Sequence, residues 1–241
     1  ATDVSIAGTV LSAIGAKTSG VVTVTNDIVI TGTATEVTAA LVTTASLVVA
    51  AIAKVAISDA TDVSIAATVL SAIGAKTSAV VTVTNDIVIT GSNTEVTAAL
   101  VTTASLVVAA TAKVTISDAT DVSIAGTVLS AIGAKTGGVV TVTNDIIITG
   151  SNTEVTAALV TTASLVVAAT AKVTISDGTD VSIAGTVLSA IGAKTSGVVT
   201  VTNDIVITGT NTEVTAALVT TDTLVVAATA KVTISDATDV S

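Results

Sequence analysis

The sequence predicts an α/β solenoid, a stack of coils made of helices and strands, and three observations lead there. The same 59-residue unit is written four times without a gap, as residues 1–59, 60–118, 119–177 and 178–236, and residues 237–241 start a fifth copy. A gap-free period of this size marks a chain whose units bury their apolar faces only against one another, so 1–241 reads as one continuous solenoid. Half of the residues are apolar, yet Phe, Tyr, Trp, Met, Cys, Pro, His, Arg and Gln are all absent. An interior of Val, Ile, Leu and Ala alone packs well where backbones approach closely and regularly, as stacked coils do. Finally, each repeat holds two halves of one plan. Thr2-Asp3-Val4-Ser5 and Thr35-Glu36-Val37-Thr38 each lead through an apolar segment to a strand that ends in Asp.

The elements follow in order. Thr2 is suited to cap a helix with an acid in its first turn, and Val4, Ala7, Leu11 and Ile14 form its apolar stripe. Gly15 is its stop, and Lys17 places a cation where the helix dipole favours one. Val22-Thr23-Val24-Thr25 alternates apolar and hydroxyl residues and reads as a strand. Asn26-Asp27 is then either a tight hairpin turn or a corner into a second sheet carrying Ile28–Gly32. Thr35 caps a second helix, since Val37 to Ala53 contains no Gly, Pro, Asn or Asp, and Val37, Ala40, Leu41, Thr44 and Val48 share a stripe. Lys54 follows that helix and opens the last strand, written Val114-Thr115-Ile116-Ser117 in the second copy. The arrangement expected is two coils per repeat, an in-register parallel sheet and a helix layer on one side, rising about 10 Å per repeat. The run Thr43 to Val49 is rich in β-branched residues, which helices disfavour, so the alternative is an all-β parallel β-helix.

Composition excludes several functions. The formal charge is −10 and the eight basic residues, all Lys, stand singly; nucleic acid is therefore not an expected partner. The longest apolar run, Leu47–Ala53, falls far short of the roughly 20 residues of a membrane-spanning helix, and a transmembrane barrel would want aromatic girdles. Without Cys there is no disulfide or thiol nucleophile, and without His no ordinary triad or zinc site, so no enzyme is expected. A chain lacking Cys, Met and aromatic residues is indifferent to oxidation, which suits life outside the cell. Ala1 is not an initiator Met and no signal peptide is visible, so the chain reads as an excerpt.

Two sets of residues are candidate sites. Asp59 and Asp62, with Asp118, Asp121, Asp177 and Asp180, recur with the repeat and would form rows of like charge, as would Asp27 and Glu36. Rows of carboxylates are oxygen ligands for calcium between layers, although each acid is equally explained as a turn residue or a cap. Translational repetition gives neighbouring acids one environment, whereas acid–base catalysis needs two different ones. Thr23, Thr25, Thr82, Thr84, Thr115, Thr141 and Thr143 would line a hydroxyl lattice on the outer face of the sheet. That lattice suits an ice- or mineral-binding surface; Thr is also the ordinary outward partner of Val in a strand.

The strings Thr-Asp-Val-Ser…Val-Leu-Ser-Ala-Ile, Gly-Val-Val-Thr-Val-Thr and Ile-Val-Ile-Thr-Gly…Thr-Glu-Val-Thr-Ala-Ala resemble the α/β solenoid repeats of very large secreted bacterial surface proteins of cyanobacterial type. The resemblance covers the whole chain. It implies an extracellular or cell-surface structural role, as a segment of a filament, surface layer or adhesin stalk, and brings no catalytic residue with it. Such arrays often accompany calcium-binding repeats, whose Gly-Gly-x-Gly-x-Asp pattern does not occur here, so a calcium-stabilised array stands as an alternative. Residues 1–5 and 237–241 are identical, and neither end diverges toward a polar cap. The expected partner is therefore the chain itself, as further covalent repeats or head-to-tail copies.

Overall fold

A computed structural model of the chain describes residues 4–43, 48–102, 107–161, 166–220 and 225–236. It is a repeat α/β solenoid. Eight helices among the described residues alternate with short strands in parallel sheets, and no sheet closes into a barrel. The chain falls into two compact units, Ala1–Ile116 with Lys135–Val139, and Ser117–Ala134 with Val140–Ser241.

The second repeat shows the order of elements. Strand Ser64–Ala66 runs into helix Ala67–Gly74, followed by strands Val81–Val83 and Val88–Gly91. Helix Asn93–Leu100 and strands Val107–Val108 and Lys113–Ile116 complete it.

Strand register sets the pitch of the coil. In the first unit Ile6 lies beside Ile30, Ile30 beside Val55, Val55 beside Val81 and Val81 beside Val107, steps of 24, 25, 26 and 26 residues. One turn therefore takes about 25 residues, and a 59-residue repeat is about two and a third turns. This corrects the expectation of two coils per repeat. It also removes the single helix layer, because each repeat starts about a third of a turn beyond the last. One turn after helix Ala34–Leu41 the chain is in strand Ser64–Ala66. One turn after strand Val48–Val49 it is in helix Ala67–Gly74. Each side of the coil thus changes between helix and strand along its length.

The sheets follow from that winding. In the first unit a five-stranded sheet takes Ser5–Ala7, Val29–Gly32, Lys54–Ile57, Val81–Val83 and Val107–Val108 in that order. Ser64–Ala66, Val88–Gly91 and Lys113–Ile116 pair on another side, and Val22–Thr23 pairs with Val48–Val49. The second unit has the corresponding strands 118 residues later, beginning with the five-stranded sheet from Ser123–Ala125 to Val225–Val226. The stretch Ile28–Gly32 therefore makes no hairpin: Asn26-Asp27 is the corner between the sheet of Val22–Thr23 and a second sheet, in which Val29–Gly32 is a parallel strand between its neighbours one turn before and after.

Inward rows are filled by aliphatic side chains. Ile30, Ile57, Val81, Ile89 and Ile116 are fully buried on the sheets, as are Leu70, Ile73, Val96 and Ala99 on the helices. Eight-residue helices are too short to persist alone, since isolated helices below about 12–15 residues are marginal in water. Packing holds them, with help at their starts. Ser92 accepts a hydrogen bond from the Glu95 N–H (3.3 Å), and Glu95 Oε2 accepts one from the Ser92 N–H (2.8 Å). This capping box recurs at Thr33/Glu36, Ser151/Glu154 and Thr210/Glu213. The second helix of each repeat is thus capped two residues before Thr35 and ends at Leu41, where a β-branched run begins. It does not extend to Ala53, and Lys54 sits in a strand rather than beside a helix end.

The first helix of each repeat is also displaced. It begins at Gly8, after a strand Ser5–Ala7, and its cap residue Ala7 supplies no side-chain hydrogen bond. Thr2 lies outside the described residues; its counterparts Thr61, Thr120 and Thr179 are in turns. The Asp that follows each of these, Asp62, Asp121 or Asp180, adopts a left-handed φ of 62–63°, a conformation Asp tolerates better than most residues.

The glycine before each capping box, Gly32, Gly91, Gly150 or Gly209, carries a sharp constraint. Gly150 has φ +154°, and a Cβ there would lie 2.8 Å from Glu154 Oε2, the oxygen that closes the capping box. Gly150→Ala should destabilise the chain by about 1–3 kcal/mol, read as a lower urea midpoint.

Candidate functional site

The carboxylates named from the sequence are engaged, each row in a different way. Asp59 is buried, and its Oδ2 accepts a 2.6 Å hydrogen bond from the Ala34 N–H, at the start of the helix one turn earlier. Asp177 does the same for the Asn152 N–H at 2.6 Å and also takes the Asn152 side-chain amide at 2.8 Å. Asp236 accepts from the Asn211 N–H at 2.9 Å. Asp118 is likewise buried, and its carbonyl accepts from Asn144 Nδ2 at 2.6 Å. This row therefore supplies negative charge and acceptors to helix N-termini, where free N–H groups and the helix dipole favour both.

The Asp62 row points outward. Lys113 Nζ meets Asp62 Oδ1 at 2.6 Å, and Lys172 with Asp121 and Lys231 with Asp180 repeat the contact at the same distance. Each pair is 51 residues apart, two turns of the coil, so the lysine reaches across the strand between. The hydrogen bond that Lys113 donates to Asp62, and then the carboxylate's charge, raise the Lys113 pKa above the ordinary lysine value, and Lys172 and Lys231 are raised in the same way by Asp121 and Asp180. Asp27 lies 3.8 Å from Lys54, and Glu36 closes a capping box. Among the described residues no three acids gather as a metal site would require.

The threonines named from the sequence are spread over several sides. Thr82 lies beside Ala56 and Val108, Thr23 beside Val49, Thr115 beside Thr90, and Thr141 beside Val167. Thr25 and Thr143 are exposed beyond the strand ends. Thr84, in the same position, donates its hydroxyl to the Ile57 carbonyl at 3.0 Å. One in-register hydroxyl row among the described residues consists of residues the sequence reading passed over: Thr149, Thr174 and Thr200, bounded by Ala125 and Val226. The row on one flank of it runs Ser123, Ile147 and Lys172, and on the other flank Ser176 and Thr202 are exposed.

Two further ties went unread in the sequence. Thr77, Thr136 and Thr195 are buried and donate their hydroxyls to the Ala53, Ala112 and Ala171 carbonyls of the turn below, the first at 2.5 Å. Asn85 and Asn203 donate side-chain amides to the Asp59 and Asp177 carbonyls, each at 2.6 Å. The signal was present, a polar residue at a fixed offset from a corner in every copy, but its partner lies a turn away and only the 25-residue pitch reveals it.

No family model, curated protein or solved structure matches the chain. No helix among the described residues is long and apolar enough to cross a membrane.

The Asp roles yield two tests. Because the buried row is committed to helix starts, Asp177→Ala should cost about 1–2 kcal/mol, while calcium or EDTA should leave the melting temperature of the unaltered chain in place. The lysine values are raised on folding, so the ion-pair contribution is fully present below the ordinary lysine pKa and is lost as pH rises through the higher folded value. Replacing Lys113, Lys172 and Lys231 by Met should flatten the alkaline limb of a melting-temperature profile and leave its shape below pH 9 unchanged.

Proposed function

We propose that this chain is a structural repeat segment of an extracellular filament, surface layer or adhesin stalk that elongates end to end. One observation carries the reading. The side chains that finish an interior coil are the ones left open at the last described coils. Val232 is 46% and Ile234 56% exposed, while Val173 and Ile175, their counterparts one repeat earlier, are 1% and 0% exposed. At the opposite end Ile14 is 47% exposed against 0% for Ile73. Leaving each such side chain half covered forgoes about 1 kcal/mol of burial. Another coil would recover that stabilisation, whether it came from the same polypeptide or from a second copy.

The chemistry of the surface supports a structural role. The acids named above are spent on caps and corner ion pairs, repeated in like environments, and among the described residues no three of them gather. The extracellular placement rests on a composition indifferent to oxidation and on the resemblance to secreted bacterial solenoid repeats. Sedimentation and electron microscopy of the chain across a concentration series test the reading. Rod-like oligomers growing with concentration are expected; a monodisperse monomer at high concentration would overturn it.

A further inference from the structure

The two ends of the described chain carry complementary fractions of one sheet. Within each unit the complete five-stranded sheet has a fixed order, and in the first it is Ser5–Ala7, Val29–Gly32, Lys54–Ile57, Val81–Val83, Val107–Val108. Toward the C-terminus the sheet of Ser182–Ala184, Val206–Gly209 and Lys231–Ile234 holds the counterparts of the first three of these strands, with Lys231–Ile234 at its edge. Toward the N-terminus Val22–Thr23 and Val48–Val49 pair as a two-stranded sheet, the counterparts of the last two. Three strands and two strands make up the interior sheet.

We infer that a second copy of this chain docks Val22–Thr23 against the open edge of Lys231–Ile234, in a single register: Val232 beside Val22, Thr233 beside Thr23 and Ile234 beside Val24. This deepens the end-to-end reading and rests on it. The register is copied from joints inside each unit. In the first, Val55, Ala56 and Ile57 lie beside Val81, Thr82 and Val83. In the second, Val173, Thr174 and Ile175 lie beside Val199, Thr200 and Val201. Each residue named at the open joint has its counterpart in these pairs, offset by whole repeats.

The polar ties of the joint are prescribed as well. Inside the units Val55 N–H donates to the Val80 carbonyl at 3.0 Å and Val173 N–H to the Val198 carbonyl at 2.9 Å. At the joint Val232 N–H meets the Val21 carbonyl. Thr18 takes the place of the buried Thr77 and donates its hydroxyl to the Ala230 carbonyl. Asn26 takes the place of Asn85 and donates its amide to the Asp236 carbonyl. Docking converts the exposed Val232 and Ile234 into the fully buried Val55 and Ile57 of the template. A one-residue slip would instead turn Val22 and Val24 of the incoming strand outward and leave Val232 and Ile234 without apolar partners, so the apolar pattern enforces the register. Residues 237–241 repeat residues 1–5, and the joint needs only one of the two stretches.

The chain is free of cysteine, so engineered thiols report the register directly. Thr23 and Thr233 face outward at the joint and tolerate replacement without disturbing the core. Thr23→Cys and Thr233→Cys chains, mixed and oxidised gently, should give a disulfide-linked heterodimer. A single chain carrying both changes should give a ladder of covalent oligomers. A Thr25→Cys/Thr233→Cys chain, out of register, should give at least tenfold less. Oligomers that appear in sedimentation while Thr23 and Thr233 fail to link, or link no better than Thr25 and Thr233, overturn this joint and leave end-to-end assembly standing. Absence of oligomers at any concentration overturns both. Melting curves of the reduced variants, matching the unaltered chain, show that folding is unimpaired.

Discussion

A coil lined only with Val, Ile, Leu and Ala, without one aromatic ring to fill a gap, must lie close against the coil above it. Parallel strand pairing supplies that closeness, at about 4.8 Å between neighbours. Here it is reached by stepping 24–26 residues along the chain, so that Ile30 meets Val55 and Val55 meets Val81. Each inward residue is finished by its partners a turn away. The helices depend on the same step, since eight residues do not hold a helix without packing. So do the caps: Asp59 reaches back 25 residues to the start of helix Ala34–Leu41.

The mismatch between a 59-residue repeat and a turn of about 25 residues explains the distribution of surface chemistry. Had the repeat been a whole number of turns, each recurring residue would have formed one continuous row. A third of a turn is left over instead, so recurring residues move from side to side. Thr23 and its counterpart one repeat later, Thr82, belong to different sheets, and the hydroxyl rows among the described residues stay short. The lysine–aspartate pairs are dispersed in the same way. Within each unit the described residues therefore form no extended plane of one group.

The fold class was legible because its signals are local or periodic. The gap-free repeat implied stacking, and the alternation in Val114-Thr115-Ile116 identified a strand found at Lys113–Ile116. Element boundaries were less visible. Ser64–Ala66 and Val107–Val108 are two or three residues long, too short for alternation to show. The first helix has no side-chain cap to announce it, whereas the second carries a signal that was readable, Thr33-x-x-Glu36 and Ser92-x-x-Glu95. Thr35 resembled a cap equally well, and Thr35 with Thr2 suggested two equal halves of about 30 residues each. That apparent symmetry hid the 25-residue step, which depends on partners a turn apart. The candidate acids were legible as cap and turn residues, but not what each one binds.

The 25-residue winding is the central claim, and intramolecular disulfides measure it most directly. A chain with Thr31→Cys and Ala56→Cys places the thiols on adjacent strands in register; a chain with Thr31→Cys and Ala60→Cys places them where a coil of half a repeat would. Oxidised in dilute solution and analysed by peptide mapping, the first should close its disulfide nearly completely and the second should remain largely reduced. Ready closure of the second chain and failure of the first would contradict the winding, and with it the layout of caps, sheets and joint that follows from it.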